Sequence, residues 1–297
     1  MVMKSIIGHS RIIDFFTKVV DNAALSHAYC FVGLEQVGKC TVAEYLASKL
    51  LQVEENKLTS SPDFVFVGQE KDEKTDKTKK DISVKQIRIL REQLAKKSYF
   101  GGYKVAIIDQ AEKMNAEASN ALLKTLEEPT GKTIIFLLTN DESKLPETIL
   151  SRVQIINFSL VSNEELRKGL LDKEVENIDE IIGFSRGLPG LALDLSNDQE
   201  KFIAYKKEVK RFTDLFGIPF HEKLALVEEL FGDKTDHIAT RQNLSRILDI
   251  WQYELRDREV ENKQKVFLQD QIYLAKEMLG KNIHPRLLVE NILLNIN

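Results

Sequence analysis

Cysteine is scarce: the 297 residues hold only Cys30 and Cys40, too few for a disulfide framework or a four-cysteine zinc site. Excess basic charge is lacking too, since 42 Lys and Arg against 46 Asp and Glu leave a formal net charge of −4. A stand-alone DNA-binding domain is usually basic, because it displaces counterions along the phosphates. Any work on DNA is therefore expected through an assembly. No stretch approaches the roughly 20 apolar residues that span a bilayer. The opening, Met1-Val2-Met3-Lys4-Ser5-Ile6-Ile7-Gly8-His9, lacks the continuous apolar run of a signal peptide. No internal repeat is seen. Together these absences point to a reduced, cytoplasmic chain with no membrane partner. What remains is an ordinary globular composition, 43% hydrophobic and 30% charged, long enough for two or three domains.

Short apolar runs alternate with helical periodicity through the first half. Residues 27–32, 104–109, 133–140 and 153–158 read as strands, with a further short strand at 63–67. Residues 12–20, 41–51, 82–97 and 115–128 read as helices, the last stopped by Pro129. Apolar strands alternating with helices predict an α/β domain whose parallel sheet is covered on both faces. The stretch 54–80 is polar, with a dense charged tract at 71–80, and reads as an exposed, mobile loop rather than a nucleic-acid contact. After about residue 160 the strand-like runs end. Segments 164–171, 178–184 and 191–195 suggest a small helical unit, and from 199 the chain is charged, amphipathic and helical. The expected division is 1–160, 161–200 and 201–297.

Gly33-Leu34-Glu35-Gln36-Val37-Gly38-Lys39-Cys40-Thr41 nearly fits the phosphate-binding loop G-x-x-x-x-G-K-[S/T]. In such a loop, backbone N–H groups cradle phosphates at a helix N-terminus, and the lysine reaches the outer phosphates. The flanking strand and helix are present, which strengthens the match. Gly33, Gly38, Lys39 and Thr41 are thus candidate nucleotide-binding residues. The hydroxyl that normally holds Mg²⁺ is missing. Cys40 stands there, and a soft sulfur is a poor ligand for a hard cation. Thr41 lies about 100° further round the helix and is expected to point elsewhere. The plainer reading is a loop kept only as a connector. Val105-Ala106-Ile107-Ile108-Asp109-Gln110 looks like the acidic strand end that accompanies such loops, with Asp109 on the metal side. Gln110 occupies the place of the general base and cannot take a proton. Glu112 is too far along to substitute simply. These two losses leave ATP or ADP binding open and disfavour hydrolysis.

Here the chain resembles a known family. Ala111-Glu112-Lys113-Met114-Asn115, Asn120-Ala121-Leu122-Leu123-Lys124-Thr125-Leu126-Glu127-Glu128-Pro129 and Leu145-Pro146-Glu147-Thr148-Ile149-Leu150-Ser151-Arg152-Val153-Gln154 are similar to the bacterial clamp-loader subunits of DNA polymerase III. So are Ile7-Gly8 and His27-Ala28-Tyr29, while Pro285-Arg286-Leu287-Leu288 through Leu294 resembles the end of the delta-prime branch. The resemblance implies an AAA+ P-loop core, a small helical lid and an all-helical collar. The collar joins motor and delta-type subunits in a pentameric ring that places a sliding clamp on primer–template DNA. It implies that Arg152 serves a neighbour's ATP site in trans. The plainer reading of Arg152 is a surface arginine paired with an acid such as Glu147. Asn140 matches the sensor position at a strand end; it could equally be a turn residue capping that strand.

The chain departs from motor-type members at Cys40 and Gln110. Gly190 stands where motors often carry a sensor arginine, with Arg186 earlier in the chain. Many relatives hold a four-cysteine zinc module; the corresponding stretch, 52–68, has no cysteine, so no zinc and no required cofactor are expected. For His27, Trp251 and Tyr253, packing is the default reading. The expected function is a ring member without ATPase activity of its own. The alternatives are an active motor-type ATPase or related remodelling enzyme, which would want Ser or Thr at 40 and Glu at 110, and a small P-loop kinase, against which the helical C-terminal third argues.

Overall fold

The computed structural model describes residues 6–71, 79, 81–171, 175–231, 237–259, 261–279, 281 and 283–296. Most of the charged tract, 72–78 and 80, lies outside them. Beside it, the Lys79 N–H donates to the Glu70 carbonyl at 2.7 Å. The chain divides into two compact units, Met1–Asn197 and Asp198–Asn297.

The first unit is built on five parallel strands: β1 (Ala28–Val32), β2 (Phe64–Val67), β3 (Lys104–Ile108), β4 (Thr133–Thr139) and β5 (Gln154–Asn157). Their order across the sheet is β2-β3-β4-β1-β5. Burial follows position. Every residue of β3 and β4 is buried, whereas the edge strand β5 exposes Gln154, Ile155 and Asn157 and the edge strand β2 exposes Phe66. Strands covered on both faces must read as nearly unbroken apolar runs, and these do. Helices α1 (Ser10–Asp21), α2 (Lys39–Leu51), α3 (Val84–Ala95), α4 (Ala116–Glu127) and the single turn α5 (Glu147–Leu150) complete the layers. Local chemistry sets their starts. Ser83 and Gln86 form a capping box at α3, and the Asn115 side chain accepts the Ala118 N–H at α4. An aromatic cluster of Phe16, Tyr29, Phe31, Phe136 and Phe158 packs with ring centroids 4.8 to 6.0 Å apart. Three short helices, α6 (Asn163–Leu171), α7 (Ile178–Ser185) and α8 (Pro189–Asn197), belong to the same compact unit.

One buried charge fixes a loop. Asp63, 3% exposed, accepts from the Tyr99 N–H at 2.9 and 3.0 Å, the Phe100 N–H at 3.2 Å and the Ser98 hydroxyl at 2.9 Å. Burial acts to raise its pKa. The two amides, the hydroxyl and the Lys104 charge outweigh that, so the carboxyl titrates below its ordinary value. A depressed carboxylate pKa contributes stability that is present above the unfolded value and lost as pH falls through the native one. Asp63→Asn is expected to cost about 1–3 kcal/mol at neutral pH. In urea unfolding titrations the difference from wild type should fade as the medium is acidified below the ordinary carboxylate range.

Every regular element among the second unit's described residues is a helix: α9 (Gln199–Asp214), α10 (Phe220–Val227) with a 3-10 turn at Glu228–Phe231, α11 (His237–Asp257), α12 (Asn262–Leu279) and α13 (Pro285–Leu294). Trp251, fully buried, stacks toward Phe212 at 5.4 Å in its core, as the packing reading of that tryptophan expects. The Arg241 guanidinium ties the α12–α13 connection by donating to the carbonyls of Leu279, Lys281 and Ile283.

Candidate functional site

The phosphate-type loop leaves the C-terminal end of β1 and enters α2 at Lys39. In a parallel sheet with helical crossovers, the crevice outside the strand C-termini is where ligands are usually received. The strand register explains what gathers there. Val32 pairs with Thr139, so Asn140 emerges beside the loop, and Ile108 pairs with Leu137, so Asp109 emerges one strand further. A cleft of about 220 Å³ results. Gly38, Lys39, Cys40, Thr41, Asp109, Gln110 and Asn140 line it with His9, Gln36 and Gly190. Thr41, expected to point elsewhere, borders the cleft as Cys40 does. Gly33 sits behind: a Cβ there would lie 2.8 Å from the Phe158 carbonyl oxygen. Gly38 has φ +108°, a conformation that favours glycine.

Lys39 is folded onto its own loop. Its ammonium donates to the Gly33 carbonyl at 2.6 Å, the Leu34 carbonyl at 2.8 Å and Asn140 Oδ1 at 2.9 Å. An ammonium has three protons, and these acceptors take all of them. Burial pulls the Lys39 pKa down against the opposing charges of Asp109, Glu112 and Glu35. Burial likewise raises the Asp109 carboxyl, despite the Gln110 amide and the Lys39 ammonium. Two further contacts hold the loop. His9 Nε2 lies 2.7 Å from the Val37 carbonyl oxygen, and the Gly190 N–H donates to the Gln36 carbonyl at 2.8 Å. A Cβ on residue 190 would meet that oxygen at 2.9 Å, so an arginine there would not fit without displacing the loop. Arg186 caps the end of α7 and is not among the residues lining the cleft. The contacts made by His9 and Gln36 were not anticipated. Both loop acceptors are backbone carbonyls, which carry no residue signature.

The fit to a nucleotide is divided. No side chain caps the start of α2, so its first-turn amides suit a phosphate. The metal side fits poorly: a thiol at Cys40 is a weak partner for Mg²⁺, and the Gln110 amide has no basic site for a proton. Among the described residues no group of three or more His, Cys, Asp and Glu side chains could hold a metal ion. Cys30, buried in β1, has its thiol pushed up to about 12, first by burial and then by Glu142 and Glu112.

Arg152 lies apart from this cleft, just before β5, in an open groove shared with Ser26, His27 and Glu127. Its guanidinium pairs with Glu127 at 2.9 Å and donates to the Thr148 carbonyl at 2.9 Å and the Ser151 hydroxyl at 3.0 Å. The partner is thus Glu127, near the end of α4, rather than Glu147. The His27 carbonyl accepts the Ile135 N–H at 2.9 Å, anchoring that residue at the start of β1.

The sequence model of the family described as DNA polymerase III, delta subunit, matches residues 8–162, just over half of the chain. The chain belongs to this family. A protein named DNA polymerase III subunit delta' from Pseudomonas aeruginosa is 34% identical over 182 residues, 55% of this chain and 54% of that protein. One of the same name from Bacillus subtilis is 25% identical over 286 residues, 90% of this chain and 83% of that one. The chain spans about half the length of the first curated relatives it matches. A Thermotoga maritima protein described as DNA polymerase III gamma subunit-related superposes with a TM-score of 0.60 at 21% identity, over 94% of this chain and 97% of that one. That likeness concerns the fold alone. No helix among the described residues is long and apolar enough to cross a membrane.

Proposed function

We propose that this member of the DNA polymerase III delta-subunit family works as the delta-prime-type subunit of a clamp loader. It is a non-hydrolysing member of a pentameric ring of motor and delta-type subunits, which places a sliding clamp on primer–template DNA. The observation that carries this reading is the state of the cleft. The Lys39 ammonium is spent on Gly33, Leu34 and Asn140, Cys40 replaces the metal-binding hydroxyl, and Gln110 replaces the base. Gly33, Gly38, Thr41, Asp109 and Asn140 remain as a vestigial nucleotide site, no cofactor or zinc is needed, and catalysis by this chain is exerted through Arg152 on a neighbour.

The test is steady-state ATP turnover with Mg²⁺ by the purified chain, alone and within the reconstituted loader. The isolated chain should stay well below about 1 s⁻¹, the low end of ordinary enzyme turnover, while its addition raises hydrolysis by the other subunits. Turnover by the chain alone at enzyme-like rates would support the motor reading instead.

A further inference from the structure

Glu127 is a poor choice for the end of a helix. It is the last residue of α4, Glu128 follows it, and Lys124 is the only basic residue of that turn. A helix C-terminus is the negative end of the dipole, so carboxylates there cost stability rather than add to it. The pair with Arg152 offsets little of that cost, because both side chains are substantially exposed. Folding alone gives no reason for an acid at this position. The two arms of the Arg152 guanidinium are also used differently. Nη1 donates to the Thr148 carbonyl and the Ser151 hydroxyl, on α5 and its C-cap, so the fork keeps its direction whether or not Glu127 is present. Nη2 meets Glu127 Oε1 at 2.9 Å. Carboxylate and phosphate offer a guanidinium the same kind of oxygen, so Glu127 fills the arm a phosphate would take. His27 lines the same groove, its Nε2 buried without a hydrogen-bond partner. The groove is thus an incomplete polar surface in the single chain.

We propose that Glu127 gates Arg152: it stands in for the neighbour's γ-phosphoryl oxygens and keeps the Nη2 arm occupied until that phosphate displaces it. This rests on the reading of Arg152 as acting in trans. The exchange needs no covalent step. When clamp and DNA draw the subunits together, the phosphate, with its larger and growing negative charge, wins the arm. The freed carboxylate, already half exposed, returns to water. Without clamp and DNA the carboxylate holds the arm and the neighbour turns over slowly. Glu127 is therefore a positioning residue that acts only through Arg152. It sets the gap between resting and stimulated turnover, not the stimulated rate itself.

The experiment measures ATP turnover by loaders reconstituted with wild-type or variant full-length chain, with and without clamp and primed DNA. Glu127→Gln should raise resting turnover about two- to fivefold, as much as an exposed ion pair can hold back, and leave stimulated turnover close to wild type. Glu128→Gln makes the same charge change one residue further on and should alter neither rate. Glu127→Gln combined with Arg152→Ala should match Arg152→Ala alone under both conditions, because a gate without its fork has nothing to act on. Unchanged resting turnover in Glu127→Gln overturns the gate. So does a loss of stimulated turnover, which would make Glu127 a support for the arginine. An equal rise in Glu128→Gln, or a rise that persists without Arg152, overturns it as well. If Arg152→Ala alone has no effect, the action in trans fails first and the gate falls with it.

Discussion

Replacing Arg152 with alanine is expected to lower the DNA- and clamp-stimulated ATP turnover of the assembled loader about 10³-fold, although in the proposed function the substitution lies outside the hydrolysing chains. A fixed, permanently charged fork stabilises the charge that builds on the γ-phosphoryl oxygens, and it does so only when presented from outside the hydrolysing site. Arg152 is suited to this. It is held at the start of β5 by the Thr148 carbonyl and the Ser151 hydroxyl, and lines an open groove rather than its own chain's cleft. Its ion pair with Glu127 joins side chains 36% and 49% exposed. Such a pair contributes no more than about 1 kcal/mol to folding, so Arg152→Ala should melt close to wild type and still assemble. Arg152→Lys should recover little, since a point ammonium lacks the planar fork. Glu127→Gln is a useful companion: it releases the guanidinium and should leave turnover intact or raised. Wild-type hydrolysis by the Arg152→Ala loader would remove the support for action in trans.

The strands were legible because burial on both faces leaves so little choice of residue. Expected runs at 104–109 and 133–140 became β3 and β4 almost unchanged, and the short run at 63–67 became β2. The motif residues were legible as well, since strand, loop and helix occur in the order a phosphate loop requires. Other features had no signature. Helix α2 begins at Lys39, two residues before the expected start, because Gly38 at φ +108° turns the chain directly into the helix. The Lys39–Asn140 bond follows from the register of β1 on β4, which no single strand displays. Arg152 pairs with Glu127 because α5 brings its guanidinium back beside the end of α4, a tertiary contact. In the helical unit, amphipathic periodicity gave the secondary structure. It did not show that Arg211, 6% exposed, is buried with Glu208 and Glu229 as partners.

The same unit yields the second large effect. Leu287, Leu288, Ile292 and Leu293 all look surplus in the sequence, yet Leu288, Ile292 and Leu293 are 8%, 0% and 0% exposed and belong to the unit's own core; only Leu287, at 60%, faces outward. Among the described residues of the unit, exposed large apolar side chains are densest on α12. There Leu268, Ile272, Ala275 and Leu279 face the core, while Val266, Phe267, Tyr273 and Leu274 are 57%, 46%, 49% and 42% exposed. A helix apolar on both faces has more surface than one small bundle can cover, and such patches mark interaction sites. Burying a phenylalanine or leucine is worth about 1.5–3 kcal/mol. Removing two from an interface should therefore cost several kcal/mol, and each 1.4 kcal/mol or so is tenfold in affinity. Phe267→Asp with Leu274→Asp is thus expected to weaken entry into the loader at least about 100-fold, measured by analytical ultracentrifugation with the other subunits. Both side chains already face outward, so the melting temperature of the free chain should hardly move. Leu268→Ala gives the reverse pattern. It removes a core side chain, costs about 2–5 kcal/mol of folding stability, and leaves the exposed face intact, so assembly at low temperature should survive. If the aspartate variant joins the loader with wild-type affinity, the subunits meet through some other surface and α12 is not the collar contact.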